Sequence, residues 1–215
     1  MIRVALRGLF GRKLRSTLTA LAVVLGVAMV SGTFVLTDSI DRAFDRIFTD
    51  SRQGANVVIS GEAAFDLSEG SGSREPTFDE SLLADVRALP GVGEAEGSVD
   101  GEAQIIGDDG KAIVYGGAPN LGFSIARGES RFNPLSLVEG EWPGSGDLVV
   151  DAATADKEGF EIGQTIGVQG QGEVQELAIS GFVRFGSVST IGGATLAGFD
   201  LPTAQQIFEK QGQLD

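Results

Sequence analysis

The run Leu18-Thr-Ala-Leu-Ala-Val-Val-Leu-Gly-Val-Ala-Met-Val-Ser-Gly-Thr-Phe-Val-Leu36 decides how this chain is built. No charge interrupts residues 16–37, and the 15 residues before them carry five bases and no acid. A helix needs about 20 apolar residues to cross a hydrocarbon core of roughly 30 Å, so the run suits one crossing. Arg3, Arg7, Arg12, Lys13 and Arg15 all precede it. Basic flanks stay on the cytoplasmic side, which predicts a short inner tail and an extracytoplasmic remainder after about residue 38. A cleaved signal peptide is the rival reading. Its apolar region is typically about 7–15 residues ending at a small-x-small site. This run is longer and continues through Phe34, Val35 and Leu36. The expectation is an uncleaved anchor.

Working outward, Ile2, Ala5, Leu6 and Leu9 fall on one side of a helix. Residues 1–15 therefore read either as a basic amphipathic segment on the inner membrane surface or as an unstructured basic tail. Beyond the span, Ile40, Phe44, Ile47 and Phe48 keep helical spacing among polar residues, and no Gly or Pro occurs from 33 to 53. Residues 16–50 thus predict a single helix that leaves the membrane as a stalk. Ala22-x-x-x-Gly26 and Ala28-x-x-x-Gly32 are weak signals of close helix packing.

The 215 residues include 16 basic and 30 acidic ones, and five of the bases lie in the tail. The remainder is so acidic that nucleic acid is excluded as a partner, because phosphate contacts need Lys and Arg. Cys is absent, ordinary for a bacterial exported protein. His is absent too, which removes the commonest general base and the commonest metal ligand.

From Ala55 the pattern changes to short strands. Residues 51–118 predict the first half of a mixed α/β subdomain: a strand Asn56–Ser60, a polar loop Glu69–Pro76, and a helix opened by a Thr77-x-x-Glu80 capping box. That helix turns Phe78, Leu82, Leu83, Val86 and Leu89 inward and stops at Pro90-Gly91. Strands follow at Gly93–Val99, Gly101–Gly107 and Ala112–Gly116, with a turn at Asp108-Asp-Gly110. Residues 119–190 predict a smaller β-rich subdomain, with 117–134 as connection. It holds a strand Leu148–Asp151, a helix Ala152–Glu158, a strand Gln164–Gln169, a turn at Gly170–Gly172 and a strand Glu173–Arg184. Residues 191–215 supply a strand Ala194–Phe199 and a helix Leu201–Lys210, read as the start of a second α/β half left unfinished. The fold class is α+β.

Chemistry-bearing motifs are scarce. No Walker A pattern and no Gly-x-Ser-x-Gly elbow occurs. Asp108 and Asp109 read as a hairpin turn, Asp79 and Glu80 as a helix start, and Asp100, Glu102, Asp147 and Asp151 as solvent-facing strand positions. Gly181-Phe-Val-Arg-Phe-Gly186 and Gly192-Gly193 read as bends. The sole Trp, Trp142, sits in a Gly/Pro turn, either plugging the edge of the β-rich block or touching a partner. No catalytic, cofactor-binding or metal-ligating residue is expected.

Three stretches carry a family likeness. They are Leu6-Arg-Gly-Leu-x-x-Arg-Lys-Leu-Arg-Ser-x-Leu-Thr19 with Val24–Val27; Leu82-Leu-x-x-Val-Arg-x-Leu-Pro-Gly-Val92; and Leu137-Val-Glu-Gly-x-Trp-Pro143 with Asp147–Asp151, Ala155, Gly159, Ile162–Gln164 and Ile179–Phe182. In this order they resemble the FtsX-like ABC-transporter permeases, in the part called the MacB-like periplasmic core domain. The resemblance implies a non-catalytic permease subunit that works as a homodimer or paired permease in membrane lipid. ATP would sit on a separate cytoplasmic ATP-binding subunit, whose motion passes through the stalk to outside work, an arrangement called mechanotransmission. It also implies three further spans. None follows residue 36 here, so the expectation is an N-terminal fragment. A single-span anchored module binding a ligand or protein is the alternative, and a tethered hydrolase a remote third.

Overall fold

The computed structural model describes residues 13–52, 55–62, 76–107, 109–126, 130–133, 135–185 and 193–215. Two compact units divide the chain, residues 1–45 and 46–215. Helix α1 runs unbroken over Lys13–Arg52, 40 residues and about 60 Å at 1.5 Å per residue. Its segment Thr17–Val35 has a mean hydropathy of 2.2 and buries nothing against the protein. Met29 and Phe34 are 77% and 71% exposed. The hydroxyls of Thr19 and Thr33 donate to the carbonyls of Arg15 and Met29, which hides their polar atoms inside the helix.

The second unit is α+β, with one large mixed sheet. Its strands are β2 (Asp100–Glu102), β3 (Gln104–Ile106), β4 (Asn120–Ser124), β5 (Leu135–Gly140), β6 (Asp147–Asp151), β7 (Thr165–Gln169), β8 (Gln175–Phe185) and β9 (Thr195–Phe199). They lie in the order β2-β4-β9-β6-β8-β7-β3, with β5 also on β8. The two end strands are separated in sequence by Ala103 alone, so the sheet must curl until its ends meet. Ala103 is fully buried at that corner. Strands from 51–118, 119–190 and 191–215 share this sheet: β4 lies antiparallel to β2 and parallel to β9.

Helices α3 (Ala152–Glu158) and α4 (Leu201–Ile207) each leave a strand through an aspartate. Asp151 accepts from the Thr154 N–H and Asp200 from the Thr203 N–H, at 2.8 and 3.1 Å, satisfying donors the first turn cannot. Gly159, at φ 74°, ends α3 in the left-handed conformation common at helix C-termini. The main core fills the curl and takes side chains from both helices: Leu148, Val150, Ile179 and Phe199 meet Ala155, Ala204, Ile207 and Phe208. The Phe199 and Phe208 rings meet edge-on, centroids 6.1 Å apart. A second cluster, Ile125, Leu135, Val149, Val183, Phe185, Ala194 and Leu196, lies on the other face, built from strands and loops among the described residues. A bulge on β8 explains why both cores use odd-numbered β8 residues. Leu148 faces Ile179 but Val149 faces Gly181, so Ser180 is extra and the alternation flips.

Several expectations change. Residues 55–62 form no strand, and Val57, Val58 and Ile59 are exposed. The Thr77–Glu80 box does not open a helix. Phe78–Asp79 is a strand, β1, paired with β10 (Gln213–Leu214), and helix α2 spans only Leu82–Ala88. Thr77 donates to the Gln213 side chain, and Glu80 accepts from Gln205. Leu83 packs on the core, while Leu82 and Leu89 stay exposed. Gly93–Val99 forms no strand, and 112–116 contributes one bridge, Ala112 to Ile106. A strand does follow the last helix. The segment 117–134, expected as connection, contains β4. The loop Glu69–Pro76 falls almost wholly outside the described residues, as do Asp108, Gly186 and Gly192.

Candidate functional site

The predicted functional residues fall in separate places. Arg3, Arg7 and Arg12 lie outside the described residues. Lys13 opens α1, and Arg15 is exposed on its first turns. Ile40, Phe44, Ile47 and Phe48 all lie within α1, whose backbone continues helical to Arg52; their side chains lie outside the described residues. The helix therefore extends 17 residues past the apolar segment without a break.

The acidic positions have local explanations. Asp151, expected on a solvent face, is buried at 8% exposure because its second oxygen accepts from the Leu196 N–H at 2.9 Å, tying β9 to the start of α3. Asp79 accepts from Ser81 N–H, and hydrogen bonds from Ser81 hold its carboxyl below the ordinary carboxylate value. Asp109 is lowered likewise by hydrogen bonds from Lys111. The Tyr115 hydroxyl donates to Glu158 at 2.5 Å, and Lys157 stands over its ring at 3.1 Å. Burial, then the Glu158 contact, pushes the Tyr115 phenol up, so it stays protonated as a donor. Lys210 bridges Asp215 and the Asp100 carbonyl, anchoring β10 to β2. Among the described residues, no group of three or more carboxylates could hold a metal ion.

Trp142 is partly buried and packs against the second core beside Leu137. It follows the end of β5, where Gly140, at φ 81°, passes so close to β8 that a side chain would collide with the Ser180 carbonyl. Trp142 forms one wall of a half-open cavity of about 470 Å³, with Ser130, Asn133, Leu135, Ser136 and Leu137 around it. Sequence reading singled out Trp142 and passed over Asn133 and Ser130, which lay within the expected connection. The Asn133-Pro134 dipeptide was the available signal, since Asn before Pro favours a turn.

These features define a class: an α+β domain in a chain that begins with a long helix whose first half is apolar and exposed. The chain belongs to the MacB-like periplasmic core domain family, whose model matches residues 16–214. No curated protein matches it. The family is a periplasmic domain of ABC-transporter permeases of the MacB and FtsX type, generally non-catalytic and paired with cytoplasmic ATPase subunits. Together with the apolar helix, this describes a membrane-anchored chain with an extracytoplasmic domain.

Proposed function

We propose that this chain is the anchoring and periplasmic part of an ABC-transporter permease, carrying motion from a cytoplasmic ATPase to export or envelope work outside the membrane. One observation carries the reading: within a chain matched over residues 16–214 to this family, a single helix continues from the apolar span to Arg52. Helical backbone is stiff because every residue adds an internal hydrogen bond. A displacement of its membrane end is therefore passed along its length. In this reading residues 1–15 are cytoplasmic, 16–50 form span and stalk, and 51–118, 119–190 and 191–215 are the successive parts of the external domain. Arg3, Arg7, Arg12, Lys13 and Arg15 set the orientation, and Ile40, Phe44, Ile47 and Phe48 form the coupling stripe. A second permease chain and the surrounding lipid complete the assembly. The chain itself does no chemistry, and ATP binds the separate subunit.

The test is purification of the tagged protein from its native membranes. An ATP-binding subunit is expected to come along. In the reconstituted assembly, Phe44→Asp should leave that association and ATP hydrolysis intact while abolishing the external output. Recovery of the chain without any ATPase would overturn the reading.

A further inference from the structure

The segment after α4 is strained at its base and pinned at its tip. Helix α4 closes with the Lys210 N–H donating to the Gln205 carbonyl and the Glu209 N–H to the Gln206 carbonyl. That closure needs a left-handed residue between them, usually Gly, and here it is Glu209 at φ 55°. Helix α3 meets the same demand with Gly159. Among the described residues Glu209 alone takes a positive φ without being Gly, and a Cβ makes that conformation costly. Beyond it, Gly212 at φ 69° turns the chain into the arm Gln211–Asp215. The arm lies inside a U formed by residues 78–100. On one side β10 pairs with β1, and the Glu80 N–H donates to the Gly212 carbonyl. On the other, the Asp215 N–H donates to the Ser98 carbonyl, and its carboxylate accepts from the Asp100 N–H at 2.8 Å. Lys210 Nζ then donates to both the Asp215 carboxylate and the Asp100 carbonyl, at 2.7 and 2.8 Å. Two side chains thus fill the outer edge of β2 where a neighbouring strand would sit.

We propose that Gln211–Asp215 is a releasable arm, hinged at Glu209–Gly212 and latched by Lys210, which leaves the U as one unit while the eight-stranded sheet stays folded. Its hold is small and concentrated. The pair β1–β10 is two residues long and lies off the path of the large sheet. Helix α2, the bend of the U, buries no residue. The arm gives the core one side chain, Leu214, seated where Gly97 leaves room. Strand β9, by contrast, has five buried residues and partners on both edges. Regions with few buried contacts open at lower cost than such core strands. Leaving the U also relieves the strain at Glu209, so the closed state carries a built-in bias towards release. The ammonium of Lys210 offsets that bias. Without it the Asp215 carboxylate, 16% exposed, loses its counter-charge. Release frees the Asp100 N–H and the Ser98 and Asp100 carbonyls together, so the arm covers or bares a strand edge. This switch stands whether or not the domain transmits motion.

Residue-resolved hydrogen exchange on the full chain in nanodiscs reads the release directly. The Glu80, Asp100 and Asp215 amides lie far apart in sequence, yet each bonds across the arm. They should share one opening constant, about tenfold or more above that of the β9 amides. Lys210→Met should raise that constant by roughly tenfold or more and leave β9 unchanged. Glu209→Asn, which tolerates the left-handed conformation, should lower it about threefold. General damage to the fold raises exchange and cannot produce that slowing. Should Lys210→Met fold poorly, the unaltered chain and Glu209→Asn decide. Three unrelated constants, protection equal to that of β9, or exchange in Glu209→Asn no slower than in the unaltered chain overturns the proposal. Equal acceleration of β9 by Lys210→Met overturns it too, because the arm would then open only with the whole domain.

Discussion

Two apolar runs of this chain meet opposite fates. Thr17–Val35 in α1 has no buried residue among the described residues, whereas every residue of β9, Thr195–Phe199, is buried. Both lack charges, so hydrophobicity alone does not separate them. What separates them is what each can do with its backbone. A helix satisfies its own N–H and C=O groups and can stand alone in lipid. A strand must borrow partners, and β9 takes them from β4 on one side and β6 on the other. Its side chains then feed both cores: Phe199 and Ala197 into the helix-covered one, Leu196 into the second. The lesson is that α1 satisfies its own backbone and is long and apolar enough to cross a membrane, whereas β9 needs protein partners on both edges.

That contrast is open to attack at its strongest points. Phe199→Ala empties the centre of the main core and should destabilise the external domain by about 3–5 kcal/mol, read as the denaturation midpoint of Trp142 fluorescence. Membrane retention under alkaline extraction should not change. Val27→Asp in α1 should do the reverse. A charge at mid-span costs insertion about 2.5–3.5 kcal/mol, so retention falls while the midpoint stays put. If Val27→Asp lowered the midpoint as Phe199→Ala does, α1 would be packed in protein and the contrast would fail.

Both runs were legible in the sequence, α1 over residues 16–50 and β9 as a strand Ala194–Phe199, but other elements were not. Helix α1 was readable because its signal is a long run with basic flanks, both local features. The β6–α3 and β7–β8 units were readable too, through apolar strands and a Gly-rich turn, although Asp151 was expected on a solvent face rather than as a cap. Strand β4 was not. Its residues Asn120-Leu-Gly-Phe-Ser look like a loop, and their reasons lie elsewhere in the chain. A side chain at Gly122 would collide with the Phe208 ring and Ala103, and Asn120 is buried to accept from Thr195 at 2.8 Å. Two of these partners, Phe208 and Thr195, lie more than 70 positions away. The opposite error occurred at Asn56–Ser60, where strand-forming residues find no partner strand among the described residues. The apparent capping box at Thr77–Glu80 failed for the same reason, because its polar groups are used by Gln205 and Gln213. Of the candidate site, Trp142 was legible by rarity. Asn133 was not, since its amide nitrogen is buried without a hydrogen-bond partner only once a fold surrounds it.

A middle-sized effect sharpens the account of β9. Asp151 both caps α3 and accepts from the Leu196 N–H, so its loss leaves a helix donor and a buried strand donor unmet together. Asp151→Ala should cost about 2 kcal/mol, smaller than Phe199→Ala. At roughly 2–4 °C per kcal/mol for a domain of this size, the thermal midpoint should drop by several degrees. Asp151→Asn should recover part of it, since one amide oxygen can still accept. No change in the midpoint on Asp151→Ala would mean that β9 is held by packing alone.

The smallest effect is acid sensitivity, and it also divides the two runs. Residues 16–37 contain nothing that titrates, so acidification should leave α1 in the membrane. The external domain has carboxylates whose charged forms are favoured by folding. At Asp79, hydrogen bonds from Ser81 lower the folded value below the ordinary 3.8. The folded state then binds fewer protons than the unfolded one across that interval. Its contribution is complete above about 3.8 and disappears as pH falls through the lower folded value. Asp79→Asn should therefore be slightly less stable than the unaltered chain at neutral pH, with the gap closing as pH falls below about 3.8. Asp79 is fully exposed, so solvent screening keeps the effect small. Denaturation midpoints of the two proteins followed from pH 7 down to pH 2.5 check the sign. A gap that widened on acidification would mean that Ser81 does not favour the charged carboxylate.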